Sequence, residues 1–355
     1  APDASTQEWI GRDLGWMVER FALMTAFGTV FTDEMIISWN DGNSWSAPEF
    51  VPSDSLNLHP AAHVLHYSST CFEGLKAFRH PDGSVKIFRL DQNIKRFVQS
   101  SDLLYLPPID AALTQQMIVD AVAKFADQVP VAPGSLYIRP AHMGTDPAVG
   151  NAAEPSTTSV QFILLSPVGD YFAGGGEIAL RVLLNEDGTR CAPHMGMVKS
   201  GGNYASALGP IMQAKKALNA DQVLFCPNGD VQETGAANFI LFDGDEVITK
   251  ALDESFLHGV TRDSILTLAR DRGMHVQERE LSVEELLERA ARPGCEAALS
   301  GTAAVLTSVG TLINKGQEYQ VGNGQPGQTT QVLRQILNDI QWGLATDTHD
   351  WLTPI

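Results

Sequence analysis

The stretch SPVGDYFAGGGE, residues 166–177, divides the sequence into two halves. Its three consecutive glycines favour a connection between domains, because glycine loses the most conformational freedom when it enters a helix or a strand. We predict a linker over residues 166–177, a first domain over residues 1–165 and a second over residues 178–355. The chain length of 355 residues fits this division, since a domain typically holds about 100–200 residues.

In the first half, apolar residues at helical spacing predict one helix that starts at Asp91 and another that starts at Thr114. Both residues are common helix caps, because a side-chain oxygen can accept a hydrogen bond from a free backbone N–H. β-Branched and aromatic residues predict strands before and after this pair of helices. The predicted strands cover residues 30–39, 67–79, 85–90, 136–138 and 160–165.

In the second half, Ser282 and Glu285 form a capping box for a helix over residues 283–291. Asp243-Gly244-Asp245 predicts the turn of a hairpin. Further strands are predicted at residues 178–184 and 223–225 and near 297, and further helices at residues 204–217, 261–273 and 330–340. Because neither half contains a long βαβαβ series, we predict an α+β fold rather than a doubly wound sheet.

The charge balance excludes several partners. Lys and Arg total 24 and Asp and Glu total 42, which gives a formal net charge of −18. A nucleic-acid binder or a protein that docks on anionic lipid needs clustered cations, so we expect neither partner. No apolar run is long enough to span a bilayer. A local basic pocket for a small anion stays compatible with this composition.

Cysteine usage and the first residues favour the cytoplasm. Four cysteines contain no CxxC pair and are too few for a disulfide framework. Residues 1–12 are polar and acidic, which does not match a signal peptide. No HExxH or other Cys/His cluster indicates a metal site. We therefore expect a cytoplasmic protein without a metal.

The string GNGQPG, residues 322–327, matches the GxGxxG pattern of dinucleotide-binding folds. That fingerprint also needs a second strand with an acidic residue about 20 positions further on. Asp347 has this spacing, but no strand pattern carries it. We interpret residues 322–327 as a connecting loop, and an NAD-dependent dehydrogenase remains the alternative that NAD binding would support.

Two candidate reactive groups follow in the second half. Lys199 precedes two glycines and a helix, which suits an amine in a pocket lined by backbone, although most lysines are surface charges. Glu233 follows a strand and a turn and is followed by small residues, and it is equally compatible with an exposed acid beside a hairpin.

Other residues point to bound anions. HGVTR, residues 258–262, opens a helix whose free N–H groups favour an anion, and SGTAAV, residues 300–305, offers a similar turn. Both are also compatible with simple packing. Arg96 lies between apolar residues, where an arginine either extends to solvent or binds an anion. Arg139 gives a stronger indication of a ligand than Arg96. An unpaired charge inside an apolar strand is costly, so its position implies a partner or an anionic ligand.

Seven different short motifs are distributed along the chain. They are FEGLKAFR (72–79), NIKRF (93–97), LYIRP (136–140), VKSGGNY (198–204), QETG (232–235), GVTR (259–262) and SGTA (300–303). Their order and spacing resemble the branched-chain amino acid aminotransferases, which are fold-type IV enzymes that use pyridoxal 5′-phosphate. The resemblance covers residues 39–342. It implies a small N-terminal α/β domain and a larger C-terminal pseudo-barrel α/β domain.

The resemblance also implies a reaction. The amino group of L-Leu, L-Ile or L-Val passes to 2-oxoglutarate, which gives the branched 2-oxo acid and L-glutamate with ping-pong kinetics. Lys199 would be the catalytic residue that forms the Schiff base with the cofactor. Glu233 would pair with the pyridinium nitrogen and Tyr204 with the ring hydroxyl. The phosphate would be held by Arg96, Val260, Thr261 and Thr302, with Arg190 as a second arginine on the phosphate side.

The resemblance places both substrates in one pocket. Its apolar lining is expected from Phe72, Tyr67, Tyr171 and Phe172. The γ-carboxylate of glutamate is expected to meet Tyr137 and Arg139, and the α-carboxylate to meet the turn at Thr302 and Ala303. A homodimer is implied, in which Tyr67 and the loop near Val149 complete the partner's site.

Departures from the family pattern leave specificity open. Asn151 stands where members have an apolar residue, and Ala236 where some have threonine. Ala304 and Thr307 occupy the region where some members carry a CxxC pair, so we predict no thiol switch. A D-amino acid transaminase, an amine transaminase or a pyridoxal-phosphate lyase on the same fold are the alternatives. The preferred amino acid, the working direction and assembly beyond a dimer stay open.

Overall fold

The structure is a computed structural model, and it describes residues 27–169 and 178–355. The strands are β1 Glu34–Asn40, β2 Glu49–Pro52, β3 Thr70–Phe72, β4 Leu75–Arg79, β5 Val85–Phe88, β6 Ser135–Gly144, β7 Ser159–Val168, β8 Leu180–Asn185, β9 Gln222–Phe225, β10 Asn238–Asp243, β11 Glu246–Thr249, β12 His275–Glu278, β13 Glu296–Gly301, β14 Val305–Asn314, β15 Gln317–Gln320 and β16 Leu352–Pro354. The helices are α1 His63–Tyr67, α2 Leu90–Leu103, α3 Ala111–Lys124, α4 Gly201–Leu218, α5 Val260–Asp271, α6 Val283–Ala290 and α7 Gln328–Gln341.

The first sheet is antiparallel and has the strand order β16-β5-β4-β6-β7-β1-β2, with β3 paired to β6. Helices α2 and α3 cover one face of it. Ile94 of α2 and Met117 and Ile118 of α3 are buried in one core with Leu136 and Ile163 of the sheet. The apolar spacing of three and four residues thus places one stripe of each helix on the strands.

The second sheet has the order β12-β11-β10-β13-β14-β8-β9, with β15 paired to β14. It mixes antiparallel pairs with parallel ones, namely β8 with β9 and β14, and β11 with β12. The predicted hairpin is confirmed, since β10 and β11 pair across Asp243 and Glu246. Ser282 caps α6 as predicted, because its hydroxyl accepts the Glu285 N–H at 3.1 Å, whereas the Glu285 carboxylate binds Arg279 and Arg289 instead of completing a capping box. Two mixed α/β layers confirm the α+β prediction.

Two helices begin differently from the prediction. Asp110 caps α3, and one of its carboxylate oxygens accepts the N–H groups of Ala112 and Leu113. Thr114 is buried instead, and its hydroxyl donates to Gln161 at 2.8 Å. Helix α2 follows Arg89, whose φ of 52° turns the chain into the helix, so Asp91 lies within the first turn.

The GxGxxG string is confirmed as a connection. It lies between β15 and α7, outside any strand. A Cβ atom on Gly322 would lie 2.4 Å from the carbonyl oxygen of Cys295. Close packing of backbone against backbone therefore explains this glycine without a dinucleotide.

The domain boundary and the C-terminus differ from the expected division. Strand β7 continues through Val168, so residues 166–168 belong to the first sheet and not to a linker. Residues 170–177 lie outside the described part of the chain. Strand β16 returns from the second half and pairs with β5 of the first sheet, Leu352 opposite Phe88. The last strand of the second half thus completes the first sheet, because it satisfies hydrogen-bonding groups at the β5 edge.

Trp351 anchors the returning strand. Its side chain is 8% exposed, it meets the Phe88 ring edge-on at a centroid distance of 5.7 Å, and the Arg89 guanidinium carbon lies 5.2 Å from its ring. Ile240 and Leu266 of the second half belong to the same core. This cluster therefore joins the two halves independently of the connection at residues 166–177.

Replacement Trp351→Ala should lower the free energy of unfolding by about 3 kcal/mol, because it leaves a cavity between the halves. Urea unfolding followed by circular dichroism measures the change. Leu344→Ala removes a side chain that is 60% exposed on the same terminal segment and should cost less than about 0.5 kcal/mol. Equal losses in the two variants would contradict the anchoring role of Trp351.

Candidate active site

Lys199 lies at the junction between the two halves, directly before Ser200, which precedes α4. Its backbone is held on both sides. The Lys199 N–H donates to the Ser100 hydroxyl of α2 at 3.1 Å, and the Lys199 carbonyl accepts the N–H of Phe72 in β3 at 3.0 Å. The main chain is thus fixed, while the side chain is only half-buried.

The Lys199 amine faces Tyr204, one turn into α4. Its Nζ donates to the Tyr204 hydroxyl at 2.8 Å and lies 5.1 Å from the centroid of the Phe72 ring. Burial raises the pKa of Tyr204, but the charges of Lys199 and Arg190 outweigh it, so this pKa is lowered overall. The phenol can therefore approach phenolate character beside a cation.

Glu233 forms the acidic wall of the site. It is 2% exposed, its Oε1 accepts the Leu257 N–H at 2.9 Å, and Arg190 Nη1 lies 3.0 Å from the same oxygen. The Asn238 amide donates to Oε2 at 3.3 Å. Burial raises the pKa of Glu233 to about 7 in spite of the cations around it. A proton can therefore be held or released by this carboxyl near neutral pH.

Arg190 lies beside Glu233 and Tyr204. It is 2% exposed, pairs with Glu233, donates to the Gly235 carbonyl at 3.2 Å and stacks on Tyr204 with its Cζ 5.2 Å from the ring centroid. The pair with Glu233 satisfies a guanidinium that would be costly to bury alone. The role of Arg190 as a second arginine on the phosphate side stays a prediction.

Arg96 forms the opposite end of the site together with a residue that the sequence analysis did not assign. Its Nε and Nη2 donate to the two carboxylate oxygens of Glu73 at 2.7 and 2.8 Å, and its Nη1 donates to the His258 carbonyl at 2.9 Å. Arg96 is 7% exposed and Glu73 is 1% exposed. The bidentate pair fixes the guanidinium plane.

Helix α5 starts beside Arg96. Its first residue is Val260, which follows Gly259. No capping side chain accepts a hydrogen bond from the first N–H groups of the helix. A Cβ atom on Gly259 would lie 1.9 Å from the Asn238 side-chain oxygen, so only glycine fits there. Free N–H groups at Val260 and Thr261, the helix dipole and Arg96 together provide an anion-binding site.

The turn at Thr302 and Ala303 connects β13 to β14 and contacts the first half. The Thr302 hydroxyl donates to the Gly74 carbonyl at 3.0 Å, and Lys76 Nζ donates to the Ala303 carbonyl at 3.0 Å. A Cβ atom on Gly74 would lie 2.2 Å from the Tyr137 hydroxyl. The turn is therefore held against β4 and brought close to Tyr137.

Arg139 lies in β6 between Tyr137 and the Phe72 ring. Its Nη2 donates to the Tyr137 hydroxyl at 2.8 Å, and its Cζ lies 4.5 Å from the centroid of the Phe72 ring. Its Nε is buried without a hydrogen-bond partner, and no carboxylate in residues 27–169 and 178–355 forms an ion pair with it. Among the described residues this cation has no counter-ion, and it lies beside Phe72, which also faces Lys199, so its position suits a carboxylate ligand.

The contacts of Tyr67 lie near its own helix and the loop at Val149. The Tyr67 hydroxyl donates to the carbonyl of Val149, whose side chain is 63% exposed, and the Tyr67 ring packs near His63 and His66. Tyr171 and Phe172 lie outside the described residues. Among the described residues, Glu73, Lys76 and Ser100 contact the predicted site residues, although the sequence analysis did not assign them.

The chain is similar to known aminotransferases. The family model of class IV amino-transferases matches residues 70–310. A probable branched-chain-amino-acid aminotransferase of Streptomyces coelicolor is 39% identical, with 94% of each chain covered, and branched-chain-amino-acid transaminase 1 of Bacillus subtilis is 37% identical over 93% of this chain and 94% of that relative. The solved branched-chain amino acid aminotransferase of Escherichia coli has a TM-score of 0.72 and 26% identity, covering 89% of this chain and 98% of that one.

The chain therefore belongs to the class IV aminotransferases, and the predicted family and enzyme class are confirmed. In the part of the chain that the structure describes, no helix is both long and apolar enough to cross a membrane.

Replacement Glu73→Gln should lower the free energy of unfolding by about 3 kcal/mol, because it leaves the buried Arg96 without a counter-ion. Thermal or urea unfolding of the purified variant measures this loss. Glu34→Gln removes the partner of Lys124 in a half-exposed ion pair and should cost less than about 1 kcal/mol. A Glu73→Gln variant as stable as the control would show that Arg96 does not depend on this carboxylate.

Proposed function

We propose that this chain is a branched-chain amino acid aminotransferase that uses pyridoxal 5′-phosphate to exchange an amino group between L-Leu, L-Ile or L-Val and 2-oxoglutarate. The observation that carries the proposal is the set of contacts that joins Glu233, Arg190, Tyr204 and Lys199, next to the anion site at Arg96. The names of the most similar relatives supply the substrate class.

The residues present fit the cofactor. The free N–H groups of Val260 and Thr261 and the Arg96 guanidinium suit a phosphate, with Thr302 as a further donor, and Glu233 with its raised pKa suits a ring nitrogen. Tyr204 suits the ring hydroxyl, and the Lys199 amine suits the aldehyde. When bound, pyridoxal phosphate supplies an electron sink for the electron pair left at the substrate Cα.

Lys199 carries the proton in this proposal. The hydrogen bond to the Tyr204 hydroxyl orients the Lys199 amine, and the hydrogen bond of the Lys199 N–H fixes the backbone from which the side chain extends. A neutral Lys199 amine would take the proton from the substrate Cα and deliver it to C4′ of the bound cofactor, and it would carry the proton the other way in the second half-reaction. Glu233 stays paired with Arg190, so that its charge faces the ring nitrogen instead of solvent. Arg96 binds and orients, and it takes no part in proton transfer.

Both substrates share one pocket beside Phe72. The aromatic ring offers an apolar surface to a branched side chain, and the Arg139 guanidinium on the same ring can pair with the γ-carboxylate of glutamate or 2-oxoglutarate. Tyr137 holds Arg139 by a hydrogen bond, and the Thr302–Ala303 turn can receive the α-carboxylate. The substrate therefore lies between Arg139, the turn and Lys199.

A homodimer in the cytoplasm completes the proposal. Leu65 and Val149 are 59% and 63% exposed, and Tyr67 is bonded to this loop. Such an apolar surface suits a second copy of the chain, whose active site the loop near Val149 would complete. The division into a small N-terminal and a larger C-terminal domain belongs to the same proposal, apart from β16.

The purified enzyme should show a visible absorption band that borohydride removes, and Lys199→Ala should lose both the band and transamination. The rate with L-Leu and 2-oxoglutarate should fall by at least about 10³-fold, because the variant lacks the proton carrier. Lys216→Ala, an exposed lysine on α4, should retain both properties. A colourless wild-type protein that takes up no added pyridoxal phosphate would refute the cofactor, and activity only with D-Ala or a chiral amine would refute the substrate class.

Arg139→Ala should reduce kcat/KM for 2-oxoglutarate by about 100-fold and that for L-Leu by less than about fivefold. A charged hydrogen-bond pair of roughly 2–3 kcal/mol is lost in only one half-reaction. Single-turnover measurements of each half-reaction separate the two effects. Arg139→Lys keeps the charge and should lie between the wild type and Arg139→Ala, whereas equal losses in both half-reactions would reject the assigned role.

A further inference from the structure

One face of helix α2 contacts both ends of the proposed cofactor site. Arg96 and Ser100 are four residues apart, and side chains at this spacing lie on the same side of a helix. Arg96 reaches the start of α5 through the His258 carbonyl, and Ser100 accepts the backbone N–H of Lys199. Helix α2 thus carries Arg96, which is proposed to hold the phosphate, and it contacts Lys199, which is proposed to react with the aldehyde.

The contact of Ser100 is the simpler of the two to test, because its hydroxyl bonds to Lys199 whereas Arg96 makes several hydrogen bonds. Its side chain is fully buried, and its hydroxyl oxygen lies 3.1 Å from the Lys199 nitrogen. On the other side, β3 donates the Phe72 N–H to the Lys199 carbonyl, and Cys71 forms a bridge with Ser200. The peptide of Lys199 is therefore clamped between α2 and β3, although it precedes the first residue of α4.

We propose that Ser100 is a positioning residue for Lys199, which sets the height of the lysine amine relative to the phosphate held by Arg96. This inference rests on the proposed function. Rigidity of α2 keeps the spacing between the two contacts constant, and the Glu73 pair locks the Arg96 end. A lysine whose main chain can shift places its Nζ away from the reacting carbon, and misplacement of about 1 Å can cost about 100-fold in rate.

Ser101 provides a matched control on the same helix. It is also fully buried, but its hydroxyl is bonded to His142 Nδ1 at 2.9 Å and not to the Lys199 segment. Replacement of either serine by alanine removes one buried hydroxyl and one hydrogen bond. Loss of stability should therefore be similar in the two variants, and only the effect on Lys199 should differ.

Two ligands separate positioning from binding. Pyridoxamine 5′-phosphate has no aldehyde, so its dissociation constant reports the phosphate and ring contacts without Lys199. Attachment of pyridoxal 5′-phosphate to Lys199, trapped with borohydride and followed by mass spectrometry, reports the lysine. Both are measured on the apoenzyme of the wild type, Ser100→Ala, Ser100→Cys and Ser101→Ala, together with the melting temperature, kcat and KM.

Ser100→Ala should slow attachment and lower kcat by about tenfold to 100-fold, with pyridoxamine 5′-phosphate affinity and KM unchanged. Ser100→Cys keeps the size of the side chain but offers a weaker acceptor, and it should be intermediate. Ser101→Ala should attach the cofactor at the wild-type rate. Should Ser100→Ala fail to fold, Ser100→Cys against Ser101→Cys makes the same comparison.

Equal attachment rates in the Ser100 and Ser101 variants would overturn the inference and leave the proposed function intact. A fall in pyridoxamine 5′-phosphate affinity in step with attachment would overturn it as well, since Ser100 would then support the whole site and not the lysine. A wild-type chain that binds neither ligand would instead overturn the proposed function, and this inference with it.

Discussion

The buried ion pair between Arg96 and Glu73 is the contact on which the site depends. Removing both charges from water is costly, and the cost is offset only because two parallel hydrogen bonds satisfy the carboxylate and a third joins Arg96 to the His258 carbonyl. The pair ties α2 to the connection between β3 and β4 and to the start of α5. An anion-binding helix terminus, a cation and the segment that holds Lys199 are thereby fixed relative to one another.

The charge of the whole chain and the charge of the site have opposite signs. Acidic residues give the formal net charge of −18, whereas the buried centre is lined by Arg96, Arg190, Lys199 and Arg139. Among the residues described at this centre, Glu73 pairs with Arg96 and Glu233 with Arg190, which leaves Lys199 and Arg139 without an acidic partner. A surplus of cations at a dry centre suits ligands that bring a phosphate and carboxylates, and the acidic surface disfavours large polyanions that would otherwise compete.

Local signals in the sequence predict local features of this fold well. The N-cap at Ser282 and the hairpin at Asp243 depend on neighbours in the chain, and both are present in the structure. Glu73 and Ser100 escaped prediction because their partners lie 23 and 99 residues away. Glu73 is an acid in the largely apolar FEGLKAFR stretch, and a charge among apolar residues is also the signal that indicated a role for Arg139. For Ser100 no such signal exists, since a serine on a helix face is ordinary.

Contacts across the junction show that the two halves are joined by more than the connection between them. Thr302 of the second half bonds to Gly74 of the first, and Lys76 of the first bonds to Ala303 of the second. Trp351 buries the returning terminus in a core that contains side chains of both. Motion of one half against the other would have to break these bonds and expose that core. The proposed substrate turn is therefore held by the first half, and the geometry around Lys199 is set by packing at the junction and not by the length or composition of residues 166–177.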